Sequence, residues 1–273
     1  MSVSPRYIVP NFFTGINFLL GFFSILLAAA FYHPDLNLDR TFVGKAPLIL
    51  SAWFVVWCTN LDKLDGFAAK LMNASSDFGA QFDSLADLVA FGLAPAFLSF
   101  FYLQNVNPSW FKHPINLMGL LVALTIYVLC AALRLARYNS KDADELGPYF
   151  MGLPSTFSGG FVCLSLILYD KYELYQVKAL NNALPLILIT CGILMISPLY
   201  LPKLVKRKTK WINMIQYPWI VVGYVLSFCM TAPEFLIASL FTYGLIGFSF
   251  CYLQKGTIQL GSEVSDDSAS SKN

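Results

Sequence analysis

The residues best suited to chemistry in this sequence are four aspartates. Asp62 and Asp65 stand three apart in Asn60-Leu-Asp62-Lys-Leu-Asp65-Gly66-Phe-Ala-Ala69-Lys70, and Asp83 and Asp87 four apart in Gly79-Ala-Gln-Phe-Asp83-Ser-Leu-Ala-Asp87. Positions three and four apart share a face of a helix. Asp62, Asp65, Gly66 and Ala69 therefore form one stripe, and Gly79, Asp83 and Asp87 a second. A break around Asn73 to Ser76 would let the two helices return antiparallel and bring the stripes together. Converging carboxylates repel one another unless cations sit between them. Hard oxygen ligands without His or Cys favour Mg²⁺ or Mn²⁺. Such ions can clamp a diphosphate, stabilise a leaving phosphate and leave one carboxylate to take a proton. Gly66 and Gly79 let a ligand or the other helix come close.

The elements that must hold these aspartates are set by composition. The chain is 57% hydrophobic and 12% charged, with mean hydropathy +0.61. A soluble domain is about 45–50% apolar and roughly 25% charged, so this chain is solvated by lipid. A span needs about 20 mostly apolar residues. Eight stretches qualify: 11–31, 47–72, 78–103, 115–138, 151–169, 183–201, 212–230 and 233–254. The expected fold is an all-α integral membrane bundle of about eight transmembrane helices. One membrane domain covers residues 1–255, with its core motif at 60–95 and the last two spans accessory. Residues 256–273 are expected to form a polar disordered tail. The first apolar run is too long for a signal peptide and is expected to be retained.

Charge sets the expected orientation, because basic loops stay cytoplasmic. With the N-terminus inside, the inner segments hold thirteen Lys and Arg against five outside. Both termini and the turn between the second and third spans then face the cytoplasm. The net charge of +2 is too small to suggest nucleic acid. Six cysteines lie in apolar runs without a CxxC pair, and only His33 and His113 are present, so a thiolate or imidazole metal site is not expected. The basic cluster Lys203 to Lys210 suits topology control and attraction to anionic lipid.

A carboxylate inside a span costs at least about 2.5–3.5 kcal/mol, which favours placing it at a functional cavity. Asp62 or Asp65 alone could sit at a solvated helix end. That placement fits Asp87 poorly, because it falls more than two turns inside the third span.

The pattern D-x2-D-G-x2-A-x9-G-x3-D-x3-D resembles the signature of the CDP-alcohol phosphotransferase family. The resemblance implies that Asp62, Asp65, Asp83 and Asp87 hold two ions, Mg²⁺ or Mn²⁺. Asp87 would be the general base, with Asp83 beside it in catalysis. Asp65, Gly66, Ala69, Lys70 and Gly79 would line the CDP pocket. The family places Arg where this chain has Lys70, and Lys meets a phosphate as a point charge instead of a fork.

Three further stretches resemble the phosphatidylserine-forming branch of that family. Asn11, Thr14 and Asn17 recur at helical spacing in the first span and would face the nucleotide. The run from Phe82 to Pro95 follows, its small residues permitting close packing and its proline a kink. Arg134 and Arg137 lie three apart, ahead of Phe150-Met-Gly-Leu-Pro154-Ser. Two guanidiniums on one face suit a carboxylate, as serine carries and choline or inositol does not. The implied reaction joins CDP-diacylglycerol to L-serine among membrane lipid, in an expected homodimer with the site facing the cytoplasm. Another acceptor (inositol, glycerol phosphate or choline) is the nearest alternative. A divalent-cation transporter lined by the same aspartates is a reading from a different class, and a silent homologue bearing Lys70 is a third.

Overall fold

The computed structural model describes residues 8–30, 46–71, 77–139, 149–177, 180, 182–202 and 210–253. The apolar runs become helices: α1 (Ile8–Ala30), α2 (Pro47–Leu71), α3 (Asp77–Asp87) and α4 (Ala94–Val106). After α5 (Pro108–Phe111) come α6 (Pro114–Tyr138), α7 (Ser155–Lys171), α8 (Ala183–Ile196), α9 (Lys210–Phe228) and α10 (Pro233–Leu253). Prolines open α2, α5, α6 and α10, where the missing N–H leaves no helical bond unmade. Seven of the eight expected stretches overlap one helix each, and 78–103 overlaps two, α3 and α4.

The chain is an all-α integral membrane protein. Among the described residues, Asn11–Ala30, Phe78–Val106, Pro114–Tyr138 and Pro233–Cys251 are long and apolar enough to cross a bilayer. Among the described residues, two of the other expected spans fall short for physical reasons. α2 carries the polar half that holds Asp62 and Asp65. α8 has 14 residues, about 21 Å at ~1.5 Å per residue, against a hydrocarbon core of about 30 Å.

Two features were not expected. A π-helical segment, Leu88–Leu93, joins α3 to α4 directly after Asp87. In it the Ala94 N–H reaches back to the Val89 carbonyl, and the buried Tyr127 hydroxyl donates to the Phe91 carbonyl at 2.7 Å. A side chain from α6 thus satisfies a carbonyl in the wide turn. Secondly, the loops after α6 and α8 are joined by a small antiparallel pair, β1 (Tyr149–Met151) with β2 (Tyr200–Pro202). Gly152 follows β1 at φ +74°, and a Cβ there would sit 2.2 Å from the Met195 carbonyl oxygen.

α2 is central, packed against α1 and α7. Lipid tails are as apolar as leucine, so helices associate through close van der Waals contact between small residues. Gly21 of α1 faces Ala90, where an added Cβ would lie 2.7 Å from the Ala90 Cα. Gly159 of α7 meets Phe91 in the same way, at 2.9 Å from its Cα. Two glycines therefore let α1 and α7 close on the π-helical segment. That packing fixes the end of α3 on which Asp87 stands.

Candidate active site

The two aspartate stripes converge. Asp62 from α2 and Asp83 and Asp87 from α3 each offer a carboxylate oxygen, and the three oxygens lie within 4.8 Å of one another. Asp87 is buried and Asp62 and Asp83 are half-buried. Like charges at that separation repel by at least about 3 kcal/mol per pair at an effective dielectric of roughly 20. Asp83 Oδ1 is buried without a hydrogen-bond partner, an arrangement that suits a cation as its counterpart. The donor set is all oxygen, which fits a hard divalent ion. Asp62, Asp83 and Asp87 would hold such an ion, which would supply charge neutralisation and Lewis acidity to a bound phosphate.

Asp65, Gly66, Ala69 and Lys70 continue α2 beyond Asp62. The side chains of Asp65, Ala69 and Lys70 lie outside the described residues, as do the expected break at 73–76 and the basic cluster from Lys203. Gly66 is exposed, with open space where a Cβ would be, and Gly79 is half-buried in the first turn of α3. On α1, Asn11 is half-buried while Thr14 and Asn17 are buried. Both polar atoms of the Asn17 side chain are enclosed without a hydrogen-bond partner.

Sequence reasoning gave no role to the start of α7, yet it touches two of the three aspartates. Ser155 Oγ donates to Asp87 Oδ2 at 3.4 Å, and Thr156 Oγ1 donates to Asp62 Oδ2 at 3.3 Å. These are the first two residues of the helix, whose positive dipole end favours nearby negative charge. The signal available beforehand was a Pro-Ser-Thr helix start in the same run as Gly152.

The two arginines part company. Arg134 is buried, and its Nη1 donates to Ser155 Oγ at 2.6 Å. That places it beside Asp87. Arg137 donates from Nη2 to the carbonyls of Met151 (2.9 Å) and Met195 (3.2 Å), and from Nη1 to that of Ile196 (3.2 Å). It caps the C-terminal end of α8 and ties it to β1, as cations do at helix C-termini.

α9 also leans on the aspartate-bearing helix. Asn60 Nδ2 donates to Ser227 Oγ at 2.6 Å, Trp57 Nε1 donates to the Ser227 carbonyl at 3.0 Å, and the Lys63 ammonium lies 5.9 Å from the Tyr224 ring centroid. An expected accessory span therefore braces α2 within a turn of Asp62.

Residues 7–219 match the family described as CDP-alcohol phosphatidyltransferase. The chain belongs to that family. Among curated members, a Helicobacter pylori protein named CDP-diacylglycerol–serine O-phosphatidyltransferase is 30% identical over 92% of this chain and 94% of its own length. A protein of the same name from Methanocaldococcus jannaschii is 30% identical over 68% of this chain and 83% of its own. One from Bacillus subtilis is 35% identical over 54% of this chain and 71% of its own. The family match contains α1 to α8 and ends inside α9, so all three clustered aspartates and both arginines fall within it.

Proposed function

We propose that this enzyme transfers the phosphatidyl group of CDP-diacylglycerol to L-serine, giving phosphatidylserine and CMP. The observation that carries the reaction type is the meeting of three aspartate oxygens within 4.8 Å. The choice of serine is supported by relatives of that name, one of them matched over nearly its full length.

Phosphoryl transfer asks a protein mainly for positioning and charge neutralisation. Asp62, Asp65, Asp83 and Asp87 hold two divalent ions, Mg²⁺ or Mn²⁺, in this reading. Asn11, Thr14, Asn17, Gly66, Ala69, Lys70 and Gly79 line the CDP side. Asp87 takes the proton of the serine hydroxyl as that oxygen forms its bond to the β-phosphorus. The bond from that phosphorus to the CMP oxygen breaks, and CMP leaves with the electron pair. Of the two arginines, Arg134 meets the serine carboxylate in this reading, which its burial and its bond to Ser155 beside Asp87 support. Arg137 supports it by fixing the neighbouring backbone. The bundle is a homodimer in this reading, with the site and both termini toward the cytoplasm.

The test is purified protein with labelled CDP-diacylglycerol and a panel of alcohols. Serine should yield phosphatidylserine and CMP, and serine amide should be a poor acceptor. Arg134→Lys should weaken apparent serine affinity about tenfold to a hundredfold, the value of a charge-assisted hydrogen bond. Absence of CMP release with every alcohol would sink the reaction class and favour ion transport. Preference for inositol or glycerol phosphate would keep the class and replace the acceptor.

A further inference from the structure

Ser155 sits between the buried guanidinium of Arg134 and the carboxylate of Asp87, and all three residues are less than a tenth exposed. Its Oγ accepts from Arg134 Nη1 at 2.6 Å and donates to Asp87 Oδ2 at 3.4 Å. We propose that Ser155 is a positioning residue that sets Asp87 for metal binding through this bridge from Arg134. The inference rests on the reading of the aspartates as a metal site.

The physical argument concerns the hydroxyl rotor. A serine hydroxyl has one proton and rotates to suit its surroundings. Here its acceptor side faces a guanidinium, which can only donate, so the hydroxyl proton is directed away from Arg134 and toward Asp87. Three elements fix the arrangement. α6 carries Arg134, α7 begins with Ser155, and Asp87 ends α3 at the π-helical segment. Ser155 itself is completely buried, so water is a poor substitute for either bond. With Oδ2 steered this way, the carboxylate keeps the orientation that brings one of its oxygens within 4.8 Å of those of Asp62 and Asp83. Groups that orient metal-ligating side chains in this manner commonly change metal affinity by about 10–100-fold when removed.

Ser155→Ala and Ser155→Thr in the full-length protein separate positioning from packing. Threonine keeps the hydroxyl, whereas alanine keeps the backbone and loses both bonds. Mn²⁺ binding to purified protein, followed by electron paramagnetic resonance without substrate, is the readout. Ser155→Ala should weaken Mn²⁺ binding about tenfold or more, and Ser155→Thr should recover most of it. Turnover of Ser155→Ala should fall while the KM for CDP-diacylglycerol stays near native. Equal Mn²⁺ affinity in native and Ser155→Ala protein overturns the proposal and leaves the metal site standing. Loss of binding that Ser155→Thr fails to recover also overturns it, because the hydroxyl is then not what matters. If native protein binds no Mn²⁺, the metal-site reading falls and this inference with it.

Discussion

At its N-terminal end α7 offers hydroxyls to Asp62 and Asp87, whereas at its C-terminal end Lys171 and Tyr172 both reach Glu234 of α10. The Tyr172 bond is 2.8 Å, and Asp170 nearby accepts from Tyr102 at 3.3 Å. Glu234 thus has a cation from its own chain and lies half-exposed, where such a pair contributes about 0–1 kcal/mol. At the other end three acids crowd together, and what α7 gives two of them is neutral. Acids matched by a cation of the chain fasten one helix to the next. Acids gathered against their mutual repulsion, with a single buried guanidinium bridged to one of them through Ser155, suit an added cation.

The largest effect expected from breaking that contrast is at the crowded end. Asp83→Asn or Asp87→Asn removes charge and proton-accepting ability but keeps shape. Turnover should fall at least about a hundredfold, in the range that a lost acid–base group costs, with the bundle still folded by circular dichroism. Near-native turnover in either variant would remove that residue from the chemistry.

Metal removal sharpens the same comparison. Chelator should abolish activity, with Mg²⁺ or Mn²⁺ restoring it, and should lower the melting temperature. Saturation at about a hundred times Kd stabilises by about 2.7 kcal/mol. The Glu234 end should be indifferent to chelator. A melting temperature that does not move with metal would argue that the carboxylates need no ion.

Smaller effects come from the packing that sets Asp87. Gly21→Ala brings a Cβ to 2.7 Å from the Ala90 Cα, and overpacking of this kind costs about 1–3 kcal/mol. Stability and turnover should fall together, since α1 would be pushed off the π-helical segment. Unchanged stability would mean that α1 yields without cost. The smallest effect is expected for Glu234→Gln, within about 1 kcal/mol of native stability and with unchanged turnover. A large loss there would show that both ends of α7 matter alike.

Much of this was legible beforehand. The aspartate stripes follow from helical spacing, and the observed helices start and stop within a few residues of the apolar runs. The π-helical segment was not legible, because its free carbonyl is satisfied by Tyr127, 36 residues away. Nor was the role of Ser155 and Thr156, which depends on where α7 abuts α3 and not on any local pattern. Strands of three residues have too few positions for a period to show, so β1 and β2 were invisible. Arg137 read as a binding cation because its type and spacing match Arg134. Only the position of the α8 C-terminus shows that it holds backbone carbonyls.

The Arg137 clip also has a timetable. Its partners lie 14, 58 and 59 residues further along the chain, so a nascent chain that has reached only α7 can complete one of the three bonds. The remaining two must wait until α8 has been synthesised and inserted through Ile196. Until then the end of α6 that carries Arg134 lacks its anchor to α8. The ribosome has therefore passed every aspartate of the cluster more than a hundred residues before the arginine beside them can be locked in place.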